Sequence, residues 1–171
     1  MRAALGVLVS AVIVCGCAPS IAPAQNPAPA AAQLPPLSNQ VQILPASRLG
    51  VISDSLPTSA VQSVQLGRFE GLAGAMGVRD SAGVPERHES FTDIFVVQKG
   101  TARLLYGGVA GGETLTTPGE WRGGIIRGGA ESLLHPGDVV VIPAGVPHQL
   151  LPTPGQRFAY LYFKVARKTG P

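Results

Sequence analysis

The sequence predicts an all-β domain of the sandwich or barrel type behind an N-terminal leader. Three observations carry that prediction. The chain holds 22 glycines and 16 prolines in 171 residues, well above the usual share of either, and both residue types interrupt long helices. Charged residues make up 13% of the chain, about half the usual fraction, which disfavours charge-laced helices and coiled coils. From Gly67 onward, short runs of β-branched and aromatic residues alternate with glycine and proline, as in closely spaced strands. At roughly 150 residues per domain, the length suits one folded domain with appendages. The formal net charge is only +3, with Lys and Arg scattered rather than clustered, so no nucleic-acid partner is expected.

Residues 1–17 read as a secretory address. Met1 and Arg2 give a positive start, Ala3 to Val14 a predominantly apolar run, and small residues follow, the three-part layout of a signal segment. Twelve residues rise about 18 Å as a helix, short of the ~30 Å hydrocarbon core, so the run is not a membrane span. Val14-Cys15-Gly16-Cys17 resembles the bacterial lipobox, which makes Cys17 the candidate for lipidation. The alternative is ordinary cleavage after Ala22-Pro23-Ala24, an A-x-A pattern. The expected location is therefore periplasmic or membrane-anchored through acyl chains on Cys17, and otherwise secreted. Both cysteines of the chain lie in this leader, so the mature domain is expected to contain no disulfide.

Residues 18–40 form a linker. Thirteen of the nineteen residues from Ala18 to Pro36 are Ala or Pro, a composition that cannot bury a core and favours extended, semi-rigid chain. Residues 41–66 read as an N-terminal extension. Leu44-Pro45 and Leu56-Pro57 break any long element there, and Thr58 or Ser59 would cap one short helix through Val64,. Residues 67–168 carry the strands. The expected runs are Arg68 to Met76, Phe91 to Gln98, Ala102 to Tyr106, Asp138 to Ile142, His148 to Leu151 and Phe158 to Val165. The last alternates cleanly, with Ala159, Leu161, Phe163 and Val165 on an apolar face and Tyr160, Tyr162 and Lys164 on the other,.

Between Gly107 and Gly129, nine of 23 residues are glycine, which predicts a loop or loosely paired hairpin. It lacks the strand-to-helix setting of a phosphate-binding loop, so no nucleotide site is expected. Trp121 is a lone indole among glycines, suited to the mouth of a pocket. Arg103, Arg122 and Arg127 could fork onto a carboxylate, although an exposed hairpin with solvated charges is the plainer reading. Ser90 has no base and orienting group around it in sequence, so covalent hydrolase chemistry is not expected.

The chemistry-bearing residues sit in two stretches. Gly137 to His148 reads as a buried strand, a Pro/Gly turn and an imidazole entering the next strand. Glu86-Arg87-His88 puts two metal-ligand side chains at i and i+2, on one face of an extended chain,. His88 and Asp93 are separated by an odd spacing, so a reversal through Glu89, Ser90 and Phe91, most simply a hairpin, is needed for them to meet. His135 precedes Pro136 and Gly137 in a turn and reads as a surface residue.

Gly137 through His148 resembles the second cupin motif, G-x5-P-x-G-x2-H, at all four named positions. His88-x4-Asp93-x6-Gly100 resembles the first motif, with Glu86 in place of its first histidine and Asp93 in place of its glutamate, and Pro152 stands where the second motif closes on asparagine. The resemblance spans about Arg68 to Val165. It implies a cupin-type double-stranded β-helix, a jelly-roll barrel, with a divalent metal inside held by Glu86, His88, Asp93 and His148. Two imidazoles and carboxylates suit manganese, iron, nickel or zinc, and the two carboxylates tilt the preference toward manganese or iron over copper. The shorter Asp93 must sit closer than a glutamate to reach such an ion.

Three functions follow as expectations. The favoured one is an exported module binding a small polar or carboxylated molecule, with a divalent metal in the barrel and Tyr106, Trp121, Tyr160 or Tyr162 lining the cavity. The alternative is a metal-dependent enzyme of oxygenase or isomerase type, with Glu86 as general base if it is not a ligand. The third is a metal-free structural barrel that forms homodimers through Ile94 and Val96. Fold alone does not choose among them.

Overall fold

The computed structural model describes residues 37–57 and 61–167. The signal segment, Cys17, nearly all of the linker, and Thr58 and Ser59 lie outside the described residues. Pro45 precedes helix α1 (Ala46–Ser55), and its carbonyl accepts from the Arg48 and Leu49 N–H groups at 2.9 and 3.2 Å. The helix stops at Leu56, whose backbone turns extended before Pro57, as the residue ahead of a proline prefers. The helix expected through Val64 is therefore displaced: it occupies Ala46–Ser55, and Val61 opens a strand instead, so the β domain begins at Val61 rather than at Gly67.

Thirteen strands follow among the described residues: β1 (Val61–Phe69), β2 (Leu72–Arg79), β3 (Glu86–His88), β4 (Phe91–Lys99), β5 (Ala102–Tyr106), β6 (Val109–Gly111), β7 (Thr114–Thr117), β8 (Glu120–Arg122), β9 (Ile125–Arg127), β10 (Ala130–Leu134), β11 (Val139–Ile142), β12 (His148–Pro152) and β13 (Phe158–Ala166). The single run expected from Arg68 to Met76 is two antiparallel strands. Glu70 and Gly71 reverse the chain, and Gly71 takes φ +69°. The glycine-rich stretch holds four short strands, of which β7 pairs β8 and β6 pairs β9.

The strands form a jelly roll of two sheets, β1-β2-β13-β4-β11 and β10-β5-β12-β3-β8-β7, with β6-β9 as a separate ribbon. Between the sheets, Phe95, Val97, Leu104, Leu134, Ile142, Leu150 and Phe158 form the main core, joined by Tyr160. A second cluster lies on the outer face of the first sheet, where Met76, Val78 and Ala159 are covered by Leu49 and Ile52 of α1. Arg157 fastens that helix by donating from Nη2 to the Ser53 and Leu56 carbonyls.

Strand β13 alternates as the sequence indicates, but the roles of its faces differ. Tyr160, Tyr162 and Lys164 point between the sheets and line a cavity of about 210 Å³. Ala159 faces the helix-covered outside. A barrel that encloses a polar cavity sends its polar strand face inward, and the helix supplies the apolar cover outside.

Candidate metal centre

Sheet register assembles the site. Antiparallel partners share a face and lie close. His148 of β12 stands opposite Glu86 of β3, and Glu86 stands opposite Arg122 of β8, so these three side chains make one row. Two residues further along β3, His88 stands opposite Glu120 of β8 and forms a second row. Facing them from the other sheet, Asp93 of β4 stands opposite Lys164 of β13. Between His88 and Asp93 the chain crosses from one sheet to the other. β3 and β4 do not pair, so the reversal through Glu89 and Ser90 is a crossover and not the expected hairpin.

Ligand atoms of Glu86, His88 and His148 lie within 4.8 Å of one another, a group that could hold a metal ion. Asp93 Oδ2 is 3.2 Å from His88 Nε2 and 3.6 Å from His148 Nε2. The two imidazole centroids are 5.4 Å apart. His88, Asp93 and His148 are each 3% exposed, so the charges here are paired within the protein instead of by bulk water.

The rings differ in what their second nitrogens meet. His88 Nδ1 lies 2.8 Å from Glu120 Oε2. Burial lowers the His88 pKa, but hydrogen bonds with the Asp93 and Glu86 carboxylates outweigh it and hold the ring at about 9. His148 Nδ1 lies 3.1 Å from the Val146 carbonyl and donates to it, while burial pushes its pKa down. A neutral His148 that donates from Nδ1 turns the lone pair of Nε2 toward Asp93 Oδ2. Glu86 is half-buried, and its partial desolvation raises its pKa, yet the hydrogen bond with His88 and the charges of Arg122 and Arg79 hold its carboxyl far below the usual range.

These residues fit a divalent cation. The His148 lone pair and the Asp93 carboxylate face each other as two acceptors, and Asp93 Oδ1 and Glu120 Oε1 are buried without a hydrogen-bond partner. Buried acceptors of this kind call for a positive partner. Glu120 on His88 Nδ1 and the Val146 carbonyl on His148 Nδ1 are the outer contacts that orient metal-ligating imidazoles.

Among the other candidates, Tyr160 and Tyr162 line the cavity. The Tyr160 hydroxyl accepts from Arg79 Nε at 2.9 Å. Tyr106 stands in register with His148 on the side away from Glu86. It packs on the core, with its hydroxyl 3.4 Å from Ser132 Oγ, outside the cavity. Trp121 is also outside: its Nε1 donates to Glu89 at 2.8 Å and its ring lies 4.8 Å from the Arg87 guanidinium. It braces the outer side of β8, because its neighbours Glu120 and Arg122 take the inner side. Arg103 pairs with Glu131 on the surface, His135 is exposed, and Arg122 lines the cavity 2.9 Å from Glu86. Ile94 and Val96 are half-buried on the outer face, beside exposed Val141 and Val139.

Sequence reasoning leaves out Arg79, Glu120 and Lys164 as site residues. Glu120 and Arg122 do carry a signal: they flank Trp121 at i and i+2, an alternation hidden by the surrounding glycines.

Two solved structures share the fold. A cupin superfamily protein from Desulfitobacterium hafniense is 16% identical, with 78% of this chain and 100% of that chain covered at a TM-score of 0.52. The cupin domain of Schizosaccharomyces pombe Cnp3 is 8% identical, with 67% of this chain and 66% of that chain covered at 0.50. At these identities the likeness shows the fold: this is a cupin jelly roll. No protein-family model matches the chain. No curated protein matches it.

Proposed function

We propose that this barrel is an exported binding module that captures a small polar or carboxylated molecule over a divalent cation held by Glu86, His88, Asp93 and His148. The observation that carries the reading is the meeting of two imidazole nitrogens and the Glu86 carboxylate within 4.8 Å, at the edge of a cavity of about 210 Å³. A bound cation supplies a Lewis-acid centre for an oxygen of the ligand. The chain supplies the rest. Arg122 and Lys164 present positive charge to a carboxylate, Gln149 and Tyr162 offer polar contacts, and Phe95 and Leu150 close the apolar end. Arg79, Arg122 and His88 all stabilise ionised Glu86, which suits it to a cation better than to a general-base role.

Elemental analysis of protein prepared without chelator tests the reading. It predicts about one divalent ion per chain, lost from His148→Ala. Small carboxylates should then raise the melting temperature of the metal-loaded protein only, since a ligand at 100 times its Kd adds about 2.7 kcal/mol. Absence of metal from the unsubstituted protein would defeat the proposal.

A further inference from the structure

The candidate site already contains a fixed cation. Lys164 Nζ lies 3.1 Å from both ring nitrogens of His88, 3.5 Å from Glu120 Oε2 and 3.8 Å from Asp93 Oδ1. Equal distances to the two nitrogens place Nζ on the plane midway between them, where neither nitrogen's in-plane lobe points. The ring is therefore a neighbour of the ammonium rather than its partner. The ammonium's opposite charges are the two carboxylates, at ion-pair distances of 3.5 and 3.8 Å, and it lies over the face of Phe91, whose centroid is 5.5 Å away,.

Charge counting around the cavity sharpens the point. Three carboxylates (Glu86, Asp93 and Glu120) meet three permanent cations (Arg79, Arg122 and Lys164). Both guanidinium groups pair with Glu86, at 3.4 and 2.9 Å, and Arg122 also reaches Glu120 at 3.8 Å. Among the described residues, Lys164 is the one ammonium or guanidinium paired with Asp93. Asp93 is also the carboxylate that faces both imidazoles.

We propose that the Lys164 ammonium and a divalent cation compete for Asp93, so that Lys164 sets the metal affinity of the site. This rests on the metal reading above. An ammonium 3.8 Å from Asp93 Oδ1 already offsets part of that carboxylate's charge, and two cations a few ångströms apart repel strongly where water is scarce. The side chain has room to yield. It is 24% exposed, and its four-carbon stem lets the charge swing toward the cavity mouth without moving the strand.

The test is the Zn2+ dissociation constant of the full chain, measured by competition with a chromophoric chelator, for the unsubstituted protein, Lys164→Met and Lys164→Gln. Methionine keeps an unbranched side chain without the charge, and glutamine guards against one variant failing to fold. Both variants are expected to bind Zn2+ at least tenfold more tightly, and adding His148→Ala is expected to abolish the gain. Affinity unchanged or weaker in both variants, with one His148-dependent Zn2+ still bound by the unsubstituted protein, would overturn this inference and leave the metal reading standing. No His148-dependent Zn2+ in any of the three would overturn the metal reading itself.

Discussion

His88 and His148 sit ring to ring, 5.4 Å between centroids, yet hold protons oppositely. Carboxylates on both nitrogens keep His88 charged to about pH 9, whereas burial pushes the His148 pKa down despite the Val146 carbonyl, which favours the proton. The consequence for metal-free protein follows from linkage. A group that binds its proton more tightly when folded contributes fully below its unfolded pKa, ordinarily 6.5, and loses that contribution as the pH rises through the folded value. His88 therefore stabilises fully below about 6.5 and progressively less toward about 9. His148 acts in the reverse sense: its folded pKa lies below 6.5, so acidification favours the unfolded chain, which accepts the proton more readily. Glu86 adds to the acid loss only below its ordinary value of 4.5. Melting temperature in EDTA should peak near pH 6.5 and decline on both sides. His88→Gln should flatten the decline toward pH 9, and His148→Gln the decline between about 6.5 and 4.5. An alkaline limb that survives in His88→Gln would refute the assignment.

Turns decide whether the strands reach this register, and two glycines separate backbone conformation from space. Gly100, between β4 and β5, takes φ +73°, and a Cβ there would lie 2.2 Å from the Arg157 carbonyl oxygen; Gly137, ahead of β11, takes φ +94° with nothing within 4 Å. Gly137→Ala meets only the left-handed backbone penalty, about 1 kcal/mol. Gly100→Ala must also displace the turn backbone at Arg157, just ahead of β13, which raises the expected loss to about 3 kcal/mol. Urea unfolding of both variants checks the order, and equal losses would contradict it. Both positions belong to the motif residues through which the sequence resembles the cupins, and that part of the fold was legible: β11, the turn after it and the entry of His148 into β12 fall where the pattern puts them. Legibility stops where position depends on partners. A Pro-flanked extension says little about which half forms the helix, because α1 is held by the face of β2 and by Arg157, 104 residues beyond Ser53. Glu120 is invisible until β8 pairs β3, and Lys164 until the polar face of β13 is known to point inward.

At the scale of the whole chain, charge lies inside the barrel and covalent cross-links are absent from it. Residues 37–167 contain no cysteine, so the domain's stability comes from packing and from the paired charges of its cavity, in whatever redox compartment it works. The two cysteines lie in Val14-Cys15-Gly16-Cys17, ahead of the Ala/Pro stretch. We propose that Cys17 is acylated and that this stretch spaces the barrel from a membrane. Two acyl chains bind a membrane stably where one does so only marginally, so the Cys17→Ser chain should lose radiolabelled palmitate and move from the membrane fraction to the soluble one. Cleavage after Ala24 predicts something different: no label in either protein, and a mature mass beginning at Gln25. Label retained by Cys17→Ser would remove residue 17 as the anchor.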